Sequence, residues 1–180
     1  MSRWDPIELT RACTATSVPY GETVLLDAGG HVEVVQRLGG SITVRTEMGS
    51  LLRIDGADAD ALGLEPTTTE TVATNGEFEM SHVIDALQSV YDPEIPVSII
   101  ELGLVYRCDE VPQQDGTRRI EIDMTMTAPG CGMGDVLRAD AIRAVEMIPG
   151  VDEVDVTLVW APQWNIGRMS EAARLQLGML

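Results

Sequence analysis

The chain is short of positive charge, of ligating side chains and of long apolar runs. Only 12 of its 180 residues are Lys or Arg, against 29 Asp and Glu, and the formal charge is −17. Phosphate contacts need clustered basic side chains, so this balance argues against nucleic acid as a partner and against anionic membrane surfaces. No apolar stretch approaches the roughly 20 residues that span a bilayer. The start, Met1-Ser2-Arg3-Trp4-Asp5-Pro6, lacks the apolar core of a signal peptide. There are three cysteines, Cys13, Cys108 and Cys131, with no Cys-x-x-Cys pair. That count provides neither a disulfide framework nor a self-contained zinc site. The expected setting is a reducing cytoplasm with no membrane partner.

What the chain does have is a 44% hydrophobic fraction, enough for a real core. Residues 1–65 read as short strands. Thr23–Leu26 is one candidate, Val32 to Gln36 alternates before Gly39-Gly40, Ile42 to Thr46 leads to Met48-Gly49, and Leu51–Ile54 follows. Cys13 lies in a polar stretch, which leaves both exposure and incidental reactivity open. The threonine-rich run within residues 66–77 reads as a linker. Residues 78–180 then switch period. Met80, Val83, Ile84, Leu87, Val90 and Tyr91 form a helical face that Asp92-Pro93 should end. Strands are expected at Leu104–Cys108, Arg119–Thr127 and Val154–Trp160, and a helical tail at Ser170–Leu177. The fold class is α+β: a small all-β N-terminal module, then a compact α/β sandwich in the order helix, strand, strand, helix, strand, with the tail added.

Cys131 is the most informative residue. Ile120, Ile122, Met124 and Met126 alternate with polar neighbours as a half-buried strand. After Gly132 the apolar residues Met133, Leu137, Ala141, Ala144 and Ile148 recur at helical spacing up to about Met147. Cys131 therefore falls where a strand gives way to a helix N-terminus. Unpaired backbone N–H groups and the helix dipole favour an anion there, which suits a metal-binding or nucleophilic thiolate. A small buried side chain between flexible glycines is the competing interpretation. Cys108 reads as core, His82 as a surface residue near a helix start, and Met124, Met126, Met133 and Met147 as core filling. Trp160 and Trp164 read as packing for the tail, with a partner-docking patch as the alternative.

Three motifs in order carry a resemblance: DPEIPVSIIELGLVY from Asp92 to Tyr106, MTMTAPGCGMG from Met124 to Gly134, and Ile148-Pro149-Gly150-Val151 with LVW ending at Trp160. They resemble the iron–sulfur assembly (FSCA) domain shared by the SufT and PaaD families and by related eukaryotic cytosolic assembly factors. QRLGGSITV from Gln36, RIDGADADALG from Arg53 and the C-terminal SEAARLQLGML extend the resemblance to SufT over nearly the whole chain. Ala161-Pro162-Gln163-Trp164 departs from it, since relatives carry an acidic residue and two prolines before the tryptophan.

The resemblance implies a maturation factor and not an enzyme. Cys131 matches the family's cysteine, and Asp92 and Glu94 its acidic loop. Together they imply transient binding of iron or an iron–sulfur cluster, soft thiolate and hard carboxylates suiting successive stages of assembly. The implied partners are SUF scaffold or carrier proteins and apo iron–sulfur clients, with a homodimer as one way to bring two copies of Cys131 together. Two other functions stay open at this point: an adaptor that docks clients without metal, and a Cys-dependent enzyme. The second needs a base near Cys131, and neither His31 nor His82 is tied to it by a motif.

Overall fold

A computed structural model describes residues 4–66 and 76–179. The expected linker, 66–77, thus lies almost wholly outside the described residues. The chain divides into two units: Met1–Thr69 with the short segment Pro93–Pro96, and Glu70–Asp92 with Val97–Leu180.

The first unit is a six-stranded antiparallel sheet. Its strands are β1 (Ile7–Glu8), β2 (Cys13–Val18), β3 (Thr23–Leu26), β4 (His31–Leu38), β5 (Ser41–Thr46) and β6 (Leu51–Asp55), in the spatial order β1-β4-β5-β6-β2-β3. Ile42, Val44, Leu52 and Ile54 on the two central strands are buried, with Val32 and Leu9 beside them. A 3-10 segment, Gly56–Leu62, adds Ala59, Ala61 and Leu62 to this core. Asp55 caps it by accepting from the Ala57 N–H at 3.0 Å. The structure decides the position of Cys13, which the polar sequence around it leaves open. The residue starts β2 and is buried, because the small inward residues Cys13 and Ala15 alternate with outward threonines.

The second unit holds α1 (Met80–Gln88), β7 (Val105–Pro112), β8 (Arg118–Met124), α2 (Gly134–Glu146), β9 (Glu153–Leu158) and α3 (Glu171–Gln176). β7 pairs antiparallel with β8, and β8 pairs parallel with β9, so α2 is the crossover of a β-α-β unit. Ile120, Ile122 and Met124 of β8 and Val156 of β9 are buried together with Val83, Ala86 and Leu87 of α1 and Leu137, Ala141 and Val145 of α2. The expected α1 stripe ran too far. The helix closes at Ser89, and Tyr91 instead bridges Ser98 in a reversal where Ile99 N–H donates to the Val90 carbonyl at 2.9 Å. Met147 is not core filling, since it lies past the end of α2 and is exposed.

The polar residues of β8 form an ion ladder. Arg107 reaches Asp123 at 2.8 Å, Asp109 at 3.1 Å and Glu121 at 3.3 Å; Arg119 reaches Asp155 at 2.8 Å, Glu153 at 3.2 Å and Glu121 at 3.3 Å. All twelve basic residues of the chain are arginine. Exposed pairs of this kind are worth little singly, about 0–1 kcal/mol. Their role here is to space five carboxylates that would otherwise repel across the strands.

The tail is held by backbone and side-chain bonds. Ser170 caps α3 by accepting from the Ala173 N–H at 3.0 Å, donates its hydroxyl to the Glu101 carboxylate, and donates its N–H to the Glu101 carbonyl at 2.9 Å. Gly103, at φ +70°, lies so close beneath this segment that a Cβ would stand 2.1 Å from the Arg168 carbonyl oxygen. Gly116, at φ +83°, has nothing within 4 Å of the same position. Gly116→Ala should therefore cost only the left-handed penalty of about 1–2 kcal/mol, whereas Gly103→Ala should cost upwards of about 3 kcal/mol by displacing the tail. Urea unfolding of the two variants checks this, and equal losses would contradict it.

Candidate functional site

The parallel pairing sets where the cysteine loop must be. Val105, Met124 and Leu158 are in register across the sheet, so one sheet edge gathers the start of β7 and the carboxyl ends of β8 and β9. In open α/β sheets the carboxyl edge is where ligands are bound. The chain leaves β8 through Thr125 and Met126, both buried, with Thr125 N–H donating to the Leu104 carbonyl at 2.8 Å. The expected strand had included these residues, because their side chains stay inside after the ladder ends.

Two turns then carry Cys131. Its N–H donates to the Ala128 carbonyl at 3.4 Å, and its own carbonyl accepts from Gly134 N–H at 3.3 Å. Gly130, between them, takes φ +77°, a conformation that favours glycine. α2 opens at Gly134 with Met133 as its N-cap, two residues later than the periodicity indicated. Nothing in the sequence marks that start, since no side chain caps it. Gly134 is the seat of the helix. A Cβ there would meet Leu158 Cδ1 at 3.1 Å and Met126 Cγ at 3.6 Å, so the first turn lies directly on the ends of both strands. Cys131 is half-buried on this loop, three residues before the helix.

The neighbouring loop is fixed to the same edge. Val159 N–H donates to the Met124 carbonyl at 2.8 Å, Tyr106 donates its hydroxyl to the Pro162 carbonyl at 2.9 Å, and Trp164 Nε1 donates to the Leu102 carbonyl at 2.8 Å. The Arg168 guanidinium lies 4.1 Å over the Tyr106 ring. Trp164 is thus anchored, while Trp160 is 47% exposed. Sequence reasoning missed the Tyr106–Pro162 tie and the role of Gly134, for which no local signal exists.

The three implied ligands are not equivalent. Cys131 and Asp92 belong to the second unit and Glu94 to the first. Asp92 is only 7% exposed and its N–H donates to the Val97 carbonyl at 3.2 Å, inside the reversal that leads through Leu104 to β7. Glu94 is exposed. Among the described residues, no three His, Cys, Asp or Glu side chains are gathered closely enough to hold a metal ion. The histidine near α1 is engaged locally, His82 Nδ1 accepting from Glu79 N–H at 3.2 Å.

Comparison with known proteins identifies the family. The model of the iron–sulfur cluster assembly protein family matches residues 81–156, a span that includes Asp92, Glu94 and Cys131. An Fe-S protein maturation auxiliary factor of Porphyromonas gingivalis is 41% identical over 108 residues, which are 59% of this chain and 99% of that protein. The Fe-S protein maturation auxiliary factor SufT of Staphylococcus aureus is 34% identical over 90 residues, 50% of this chain and 98% of that protein. A solved DUF59 domain from Bacillus anthracis is 36% identical, covering 56% of this chain and 92% of that one, with a TM-score of 0.48. The chain belongs to the iron–sulfur cluster assembly protein family and is SufT-like. No helix among the described residues is long and apolar enough to cross a membrane.

Of the other two thiols, Cys13 is buried and Cys108 is half-buried, as Cys131 is. Burial pushes the Cys108 thiol up to about 11, with the Asp109 charge adding to it and Arg107 opposing. Burial also raises Cys13, helped by Asp58. Near neutral pH, iodoacetamide should therefore modify Cys131 well before either, as peptide mapping would show; uniform labelling would contradict the assignment. A raised thiol pKa also has a stability signature. The folded chain keeps the Cys108 proton longer than the unfolded chain, whose ordinary value is 9.0. Its contribution is complete below that value and is lost as pH rises towards about 11. Over that window the urea midpoint of Cys108→Ala should fall less steeply than that of the wild type.

Proposed function

We propose that the chain takes up iron or an iron–sulfur cluster as cargo at Cys131 and passes it to client proteins. The observation that carries this is the position of Cys131. Cys131 is half-buried on the loop at the carboxyl edge of a parallel strand pair, three residues before α2. A soft sulfur at that position suits iron or the edge of a cluster.

Ligand count supports a carrier over a permanent holder. Iron–sulfur clusters are commonly held by about four protein ligands, and no three candidate ligands gather among the described residues. One chain then supplies one soft ligand, and a second copy, a scaffold of the SUF type or the client supplies the others. Weak retention by a single chain suits delivery. Asp92 and Glu94 are assigned to the capture of iron before sulfide is present, for which oxygen ligands are suited.

A second reading, docking of clients without metal, is favoured by one observation, the exposed Trp160 on the same sheet edge. Anaerobic reconstitution followed by iron and sulfide analysis separates the two. Cys131→Ser should lose the bound iron and sulfide and abolish client maturation in cells while its circular dichroism stays unchanged. Cys13→Ser and Cys108→Ser should retain both, and Asp92→Asn should weaken iron uptake more than it weakens folding. Normal maturation by Cys131→Ser would sink the carrier role, and loss of maturation in Trp160→Ala alone would favour docking.

A further inference from the structure

β3 lies at an edge of the first unit's sheet and, among the described residues, pairs only with β2. Ser17 N–H donates to the Glu22 carbonyl at 2.8 Å, which fixes the phase of the ladder. By antiparallel alternation Val24 and Leu26 bond to β2, and Thr23 and Leu25 direct their N–H and C=O groups out of the sheet. Edges of this kind are usually blunted by lysine, proline or inward charge. Thr23-Val24-Leu25-Leu26 has none of these, and Leu25 is 66% exposed.

Beside this edge is an open groove of about 660 Å³. Val24 and Leu26 line it together with Tyr20, Met48 and Leu51. Tyr20 is 73% exposed and Met48 93% exposed, so large apolar side chains stand at its mouth in water. Its one charged lining residue is Glu94, which belongs to this unit. Glu22 and Asp27 bracket β3, Glu47 precedes Met48, and no basic residue lines the groove.

We propose that this edge and groove bind an extended segment of another protein, apolar at alternate positions and flanked by arginine or lysine, which joins the sheet as a strand beside β3. The outward groups of Thr23 and Leu25 supply the main-chain bonds, and alternate side chains of the segment fall beside Val24 and Leu26. The acidic rim selects the cationic flanks. A second copy of the chain is the poorer occupant, because β3 against β3 would set one acidic rim on another in two molecules of charge −17 each. This surface does not include Cys131, and it shares Glu94 with the residues proposed above for iron capture.

The test uses the full chain and a fluorescent synthetic peptide of alternating Val and Thr with paired arginines at both ends, read by fluorescence anisotropy. Saturable binding is expected, weakening about tenfold or more when the arginines are replaced by aspartates or a central proline is introduced. Hydrogen exchange at the Thr23 and Leu25 amides should slow on binding. Leu25→Pro removes an outward N–H and should weaken binding about tenfold or more. Should that variant not fold, Met48→Arg does the same work, at a position too exposed for the fold to depend on it. Equal affinity for both peptide charges, or no effect of Met48→Arg, would overturn the proposal. So would a concentration-dependent dimer in sedimentation that Leu25→Pro dissolves, which would give the edge to a second copy.

Discussion

The parallel ladder between β8 and β9 is the constraint on which the second unit's chemistry rests. Adjacent parallel strands cannot be joined by a tight turn, so the chain must leave β8 at its carboxyl end, cross a face of the sheet and re-enter at the amino end of β9. α2 makes that crossing. Its first turn is thereby forced to the edge where both strands end, and Gly134, with no side chain to hold it off, lets it rest there. The loop between β8 and α2 has no freedom to be elsewhere. Cys131 is the side chain that this loop presents.

Stability and chemistry are separated in space within this unit. One set of alternating residues on β8, Ile120, Ile122 and Met124, is buried under the helices; the other set, with its neighbours on β7 and β9, forms the ion ladder. Neither depends on the thiol. The edge has its own fastenings, the Tyr106–Pro162, Trp164–Leu102 and Val159–Met124 bonds. Such a division leaves the half-buried Cys131 outside the packing that holds the unit together.

Much of this was legible in the sequence, and the failures have physical causes. The strict alternation of Ile120, Ile122 and Met124 and the helical stripe through Leu137, Ala141 and Ala144 are local signals, and a strand and a helix stand on them. The change of period places Cys131 between them. Boundaries slipped where burial outlasts the element. Met126 stays buried beyond β8, and Val90 stays buried beyond α1, in a reversal with no helical bonds of its own. β2 was hidden because its inward residues, Cys13 and Ala15, are small and its outward ones are threonines, so apolar and polar positions hardly contrast. Nothing local announces the parallel register or the packing of Gly134, both of which are tertiary facts.

The ion ladder on the sheet has a one-sided chemical response. Its positive members, Arg107 and Arg119, are guanidinium groups that keep their charge throughout the accessible pH range, and a chain without lysine offers no side-chain amine for acylation to neutralise. With the carboxylates of Asp109, Glu121, Asp123, Glu153 and Asp155 against two arginines, the ladder carries five negative and two positive charges, a net of −3. Reagents that acylate amines therefore leave this face as they find it, repelling anions.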